Sequence, residues 1–471
     1  MIEGLKPYAE YKESGQKWLG AVPNHWSVLP NRALFDEVKD RNHPKEEMLS
    51  VTITRGIVRQ KALLDGSSKK DSSNLNKGAY KLVQPHDIAY NKMRAWQGAL
   101  GASTLRGIIS PAYVVMRPRK EANPWFYHNL YRTPSFAKEA ERWSYGITSD
   151  MWSLRPEHFK VIGSLLPPPD EQAAIVRFLD HANRKIDGFI RAKRKLIGLL
   201  NEQKQAIIHR AVTRGPHPDV PLKPSGIPWL GDIPKHWDAM RLKNACKIRG
   251  GFAFKTEWFR ADGIPVIRMS NLRRGTLDLT DAVRISGNDC VAGFELKAGD
   301  ILYGLSGSVG ATGSLGNFAV VATGDLPAQL NQRVARFRPD GRVLSVRFLV
   351  FLIHTSIFYD QVLADTTGTA QFNVSTNDVG KVTFSLPSVS EQTSICDWLN
   401  GTLAKPNELI ARTEREIALM QEYRTRLTAD LVTGKLDVRE AAAKLPDLPT
   451  DSAAEPLTDE ALADTETEET E

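Results

Sequence analysis

The chain has 471 residues, 41% of them hydrophobic and 25% charged, proportions that suit a globular protein of about two to four domains at roughly 150 residues each. No run of about 18 apolar residues exists, the opening MIEGLKPYAEYKESG has no apolar stretch, and Cys246, Cys290 and Cys396 show no CxxC or Cys/His spacing; membrane, secreted, disulfide and zinc classes lose their support and a reducing cytoplasm fits. The net charge of +7 conceals unlike parts, since residues 445–471 hold ten acids and no base while the remainder carries +17, which makes nucleic acid the leading partner.

In chain order, the first landmark is SGQKWLGAVPNHW (14–26), which returns as SGIPWLGDIPKHW (225–237) with eight identities in thirteen positions. Such self-similarity marks duplicated units. His25 and His236 recur beside Trp26 and Trp237 with no Ser, Cys or carboxylate at triad spacing, so they are assigned to packing at the start of each globule. Short β-rich runs broken by Gly, Pro and Asn follow, among them IPVIRMSNL (264–272), GDILYGL (299–305) and QRVARFRP (332–339), and they predict mixed α/β domains with twisted sheets. Pro124–Phe136 and Val346–Phe358 align in their Phe, Leu and Thr positions. Asn123 and Pro124, faintly like the Asn-Pro-Pro-aromatic motif of amino-methyltransferases but without its second Pro, are predicted to be the Ncap and N1 of a helix.

The second repeated landmark is LPPPDEQAAIVRFLD (166–180), matched by LPSVSEQTSICDWLN (386–400). Each opens a helical pattern. Ile186, Ile190, Lys193, Ile197, Leu200, Lys204, Ile207 and Ala211 alternate spacings of four and three, and Ile410, Thr413, Ile417, Met420, Arg424, Leu427 and Leu431 repeat that register. This is a coiled-coil seam, with polar residues at matching places that fix register. Gly215-Pro216 ends the first helix, and Pro406 is expected in the first turn of the second. The simplest arrangement is pseudo-twofold with antiparallel helices; residues 183–211 would span about 43 Å at 1.5 Å per residue, comparable with one DNA turn.

A catalytic site is not apparent. The Gly-rich LSGSVGATGSLG (305–316) lacks the Gly-Lys-Ser/Thr ending of a phosphate loop and reads as a turn between strands, while Asp281, Glu295 and Lys297 have only a loose nuclease-like spacing. Polar, Gly-flanked segments offer better chemistry, because Arg or Lys pairs with guanine and Asn or Gln with adenine. Candidates are Lys92, Arg94 and Gln97 in the first half and Arg268, Asn271, Ser306, Ser308, Gln332, Arg333 and Gln371 in the second.

With its SGxxWLGxxPxHW openings, LP…EQ helix entries, helix ends AVTRG (211–215) and LVTGK (431–435), and segments HDIAYNKMRAWQGALG, GIPVIRMSNL, GDILYGLSGSVG and LNQRVARFRP, the chain from about 8 to 440 resembles the specificity subunits of type I restriction-modification systems. The resemblance implies target recognition domains at 1–165 and 216–385, helical spacer regions at 166–215 and 386–436, and an acidic tail at 437–471 with no assigned role. Each domain would read half of a bipartite asymmetric DNA sequence, with Ile186, Ile190, Ile197, Leu200, Ile207, Ile410, Ile417, Met420, Leu427 and Leu431 packing the helices that set the spacer and dock the partners. It further implies no catalysis or bound cofactor in this chain: modification subunits, two in the family, would use S-adenosylmethionine, and restriction subunits ATP and Mg2+. NGTLAKP (400–406) departs from the family's apolar continuity. The competing readings are a self-sufficient nuclease or methyltransferase with a cryptic site and a scaffold that binds only protein.

Overall fold

The computed structural model describes residues 5–64, 77–146, 152–273, 275–309, 313–364 and 372–446. They fall into two compact units, one made of residues up to Arg194 together with those from Glu414 onward, the other of Lys195–Thr413. In the first unit, strands β1 (Phe35–Val38), β2 (Leu49–Thr52), β3 (Gly56–Arg59), β4 (Ile88–Asn91), β5 (Leu100–Ala102) and β6 (Tyr113–Pro118) form a four-stranded antiparallel sheet, β1-β6-β4-β5, and a separate β2–β3 hairpin. The central strands are buried on both faces. Ile88, Tyr90, Val114 and Met116 enter the main core while Ala89 and Val115 enter a second cluster behind the sheet, the two-residue alternation of a pleated strand.

The sheet is followed by α1 (Pro124–Tyr131), α2 (Pro134–Arg142), α3 (Pro156–Val161) and the 46-residue α4 (Pro169–Arg214). As the sequence predicts, Asn123 caps α1, its Oδ1 accepting from the Trp125 amide at 3.0 Å, with Pro124 at the first helical position where no N–H is needed. The second unit repeats the plan: β7 (Cys246–Gly250), β8 (Ile301–Gly304), β9 (Phe318–Val320) and β10 (Val334–Pro339) lie in the order β7-β10-β8-β9, all antiparallel. Then come α5 (Val346–Ile353), capped by Ser345, α6 (Ser356–Ala364), α7 (Thr376–Lys381) and the 44-residue α8 (Val389–Val432). The predicted class, mixed α/β units joined by long helices, holds.

Each unit contains the start of one long helix and the end of the other. In the first, Ile175, Phe178, Leu179 and Ala182 share a core with Leu427, Leu431 and Val432. The two segments run antiparallel, because Asp187 pairs with Arg424 and Lys193 with Glu416, the latter at 2.6 Å. The polar seam positions Lys193 and Arg424 are thus matched by acids across the seam. In the second unit, Ile208, Ala211 and Val212 share a core with Ile395, Cys396, Leu399 and Leu403. Ile186, Ile190, Ile417, Leu427 and Leu431 are buried, and Ile197, Leu200, Ile207, Ile410 and Met420 half-buried.

Pro406 corrects the sequence reading: it lies inside α8 and does not begin it. An internal proline loses one N–H bond and crowds the preceding turn, a cost of about 3 kcal/mol. Here Leu399 and Leu403 before it are buried in the core and Thr413 after it is also buried, so packing on both sides carries the helix through. The ends agree with expectation: α4 stops at Arg214 before Gly215 (φ +80°), and α8 at Val432 shortly before Gly434 (φ +75°). At Gly434 a Cβ would stand 2.4 Å from Pro23 and 2.9 Å from Trp26, so only glycine lets this turn seat on the tryptophan. Beyond it, Asp437 bridges antiparallel to Lys6, and Val438, Ala441 and Ala442 are buried in the first unit's core. Among the described residues no single helix is long and apolar enough to cross a membrane.

Candidate nucleic-acid interface

Both units are fastened by the same polar anchor, assembled from the two repeated motifs. Trp26 Nε1 donates to Glu171 at 2.7 Å and His25 Nε2 meets the same carboxylate at 2.7 Å; Trp237 Nε1 and His236 Nε2 each meet Glu391 at 2.9 Å. The neighbouring glutamines repeat as closely. Gln172 Oε1 accepts from Asn123 N and its Nε2 donates to Glu121 O and Pro167 O, while Gln392 Oε1 accepts from Ser345 N and its Nε2 donates to Val343 O and Pro387 O. A carboxylate and a carboxamide at consecutive positions therefore fix the helix start to the opening motif and to the α1 or α5 cap. His25 and His236 are structural in this arrangement.

A second shared anchor braces the sheet. Asp87 accepts a forked pair from Arg117 at 2.8 and 3.0 Å, and Asp300 one from Arg338 at 2.7 and 2.6 Å, the planar geometry that favours arginine over lysine. Both acids precede the strand, β4 or β8, that carries the chain into the candidate loop.

In the first unit that loop is 92–99. Leu154 N donates to Lys92 O at 2.8 Å, Trp96 Nε1 to Met93 O at 2.9 Å, and Trp96 meets Trp152 edge-on at 5.5 Å. Arg94, Gln97 and Met93 are exposed and Lys92 is half-buried. Lys92 also adds to the lowering of the Lys81 ammonium pKa, whose main cause is burial. The loop is tied down by α1. Arg132 at its end donates to Leu100 O (2.8 Å) and Gly98 O (3.3 Å) and, across to the β2–β3 turn, to Ile53 O (2.7 Å) and Thr54 O (2.6 Å). One turn earlier His128 Nδ1 accepts from Ala102 N at 3.2 Å, and a Cβ at Gly101 would stand 2.9 Å from that nitrogen.

In the second unit three of the candidate segments converge with the strand Phe372–Asn373. Ser306 pairs with Asn373 in a two-residue ladder, its Oγ lies 3.4 Å from Met269 Sδ, Leu305 N donates to Arg333 O, and Arg333 Nη1 donates to Asn373 Oδ1 at 3.0 Å. Arg268, Ser306 and Arg333 are thereby brought to one locality; Ser308, Gln332 and Arg333 are exposed, Arg268 half-buried and Ser306 buried. Asn271 is buried, with its Oδ1 accepting from Arg268 N and its Nδ2 donating to Asp278 O. Gln371 lies outside the described residues.

The residues that organise these loops escape the sequence reading. Trp152 and Leu154, and Phe372 and Val374, run beside the two loops through equivalent bonds, Leu154 N to Lys92 O and Val374 N to Leu305 O, both 2.8 Å. The signal for them is the same 220-residue offset that relates the two EQ motifs. The catalytic alternatives gain nothing locally: Glu295 accepts from its neighbour Gly293 N at 2.7 Å, and burial pushes the Cys246 thiol up to about 12 and that of Cys396 to about 11. Among the described residues no group of His, Cys, Asp and Glu could hold a metal ion.

Residues 234–419 match the family model of the type I restriction modification DNA specificity domain. The chain is 25% identical over 442 residues to the type I restriction enzyme MjaVIII specificity subunit of Methanocaldococcus jannaschii, covering 91% of this chain and 97% of that one. It is 26% identical to the EcoAI specificity subunit of Escherichia coli over 230 residues, 48% of this chain and 38% of that one. Its fold is shared, at a TM-score of 0.61 and 15% identity over 87% of this chain and 98% of the other, with a solved chain from a description of the complex assembly and conformational transition of the type I R-M system.

Proposed function

We propose that this chain, which the family model and the curated relative point to as a specificity subunit of a type I restriction-modification system, reads one half of a bipartite DNA sequence with each unit and leaves the chemistry to modification and restriction subunits. The observation that carries the reading is the contrast within the repeat: the Glu-Gln and Asp-Arg anchors and the strand order are the same in both units, whereas the loops at the ends of β4 and β8 differ in length and side chains. An identical frame presenting unlike polar loops is what two readers of unlike half-sites need.

Lys92, Arg94 and Gln97 supply the base-reading groups of the first unit, and Arg268, Ser308, Gln332 and Arg333 those of the second, with Ser306 and Asn271 shaping the loops. The long helices act as spacer and docking surface. Phe189 and Leu419 on the first unit and Leu199, Trp398 and Leu409 on the second are exposed apolar residues on those helices, suited to contact with modification subunits. S-adenosylmethionine, ATP and Mg2+ belong to the partners in this reading.

The test is a methylome. In a methylation-free host, this chain with its modification subunits marks one bipartite motif, and omitting the chain abolishes the marks; random or absent methylation with all subunits present refutes the proposal. Replacing residues 237–385 by the equivalent segment of a relative changes one half of the motif, which identifies the half read by the second unit. Product from the purified chain alone with DNA, Mg2+ and S-adenosylmethionine would instead favour a cryptic enzyme.

A further inference from the structure

Among the described residues Arg132 pairs with main-chain carbonyls and with no carboxylate, an unusual setting for an arginine. It is half-buried at the end of α1, and its guanidinium is satisfied by four main-chain carbonyls drawn from two separate segments, Ile53 and Thr54 in the β2–β3 turn and Gly98 and Leu100 at the return of the 92–99 loop. Burial alone pulls its pKa down to about 10, so it stays charged at neutral pH. A fork of five N–H donors can bridge two carbonyl pairs where a lysine ammonium cannot. The same helix face sets His128 against Ala102 N, so α1 clamps β5 and the turn together.

The turn held in this way is itself tightly made. Thr52 Oγ1 donates to Gly56 O at 3.1 Å and accepts from Arg55 N at 3.0 Å, and Thr54 at the tip is exposed. A Cβ at Gly98 would come within 4.0 Å of Ile53 O, which puts the tip directly beside the loop that carries Arg94 and Gln97. The second unit shows other contacts at the corresponding places. The residue at the matching end of α5 is His354, edge-on to Phe318 at 4.8 Å, and the loop is fixed by the Ser306–Asn373 ladder and the Arg333–Asn373 bond.

We infer that Arg132 is a positioning residue for DNA reading by the first unit: it joins the β2–β3 turn to the 92–99 loop, so that Thr54 and Arg55 form one continuous reading edge with Arg94 and Gln97. This rests on the proposed function and adds to it a second reading element and the buried group that aligns the two. The specificity of one half-site then depends on a side chain that contacts no base.

The experiment uses the full chain assembled with its modification subunits and measures methylation of DNA bearing single base changes in each half-site. Arg132→Gln should lower discrimination at the first unit's half-site about tenfold, the scale of one lost paired contact, with discrimination at the other half-site unchanged. Arg132→Lys should restore part of it. Amide hydrogen exchange at residues 53–55 should rise in Arg132→Gln. Equal loss at both half-sites, or no loss at either, overturns the inference. If Arg132→Gln does not fold, the tip variant Thr54→Ala with Arg55→Ala decides: a loss confined to the same half-site supports the shared edge, and an unchanged motif overturns it. A wild-type complex that marks no bipartite motif would instead refute the proposed function, an outcome read before any variant is made.

Discussion

The two units share a frame and differ in how each secures its loop. In the first, a charged side chain from a helix end holds the loop by its main-chain carbonyls; in the second, a short ladder and a side-chain pair do so. The anchors differ in depth as well. Glu171 has its side chain 3% exposed and gathers Trp26, His25, Tyr8 and Arg439, whereas the Glu391 side chain is 32% exposed and, among the described residues, meets His236 and Trp237. Burial and the Glu171 charge together hold the Tyr8 hydroxyl well above its usual pKa. One sequence plan thus tolerates a dry and a wet version of the same joint, which teaches that the repeated Glu is retained for geometry and that its energetic weight is set by its surroundings.

The largest expected effect probes that difference. Glu171→Ala should cost about 3–4 kcal/mol, because three donors and a guanidinium lose a buried acceptor, while Glu391→Ala should cost about 1 kcal/mol; equal losses in chemical denaturation would break the distinction. The sheet braces provide the symmetric control: Asp87→Asn and Asp300→Asn should each cost about 2 kcal/mol, since both are forked charge-assisted pairs.

A pH titration sharpens the comparison further. Burial, with a smaller contribution from Arg132, pulls His128 down to about 3 from 6.5. The folded state therefore resists a proton that the unfolded chain accepts near pH 6.5, so this residue has no effect at higher pH and costs stability as pH falls from 6.5 toward 3. The slope approaches about 1.4 kcal/mol per pH unit, and His128→Gln should flatten it in the first unit's unfolding transition. The smallest effect belongs to the helix seam, where Lys193 and Glu416 are 27% and 30% exposed: Lys193→Ala should cost about 0.5 kcal/mol and lose even that in high salt.

Much of the frame was legible in the sequence because its signals are local. The 3.5-residue spacing gives the helices, Asn123-Pro124 gives a cap, Gly215-Pro216 gives a stop, and the recurrence of Trp26 and Glu171 as Trp237 and Glu391 gives the duplication. Pro406 misled because a local rule was overridden by packing on either side of it. The loop anchors were not legible for a different reason. Arg132 binds carbonyls, which every residue has, so nothing in the composition of 53–54 or 98–100 announces the bond. Asn373 and Trp152 follow segments without periodicity, and their meaning appears only when the fold lays them beside β8 and β4.

The bridge between Lys6 and Asp437 has a consequence for the order in which the parts are encoded. Because the segment after α8 returns to the start of the first unit, where Tyr11 donates to Lys435 O at 3.1 Å, the first and last described segments meet within one unit. Joining residue 446 to residue 5 by a short linker and opening the chain in an exposed turn such as 217–221 should therefore preserve every anchor described above, so the linear order is one of several cuts that the same contacts permit.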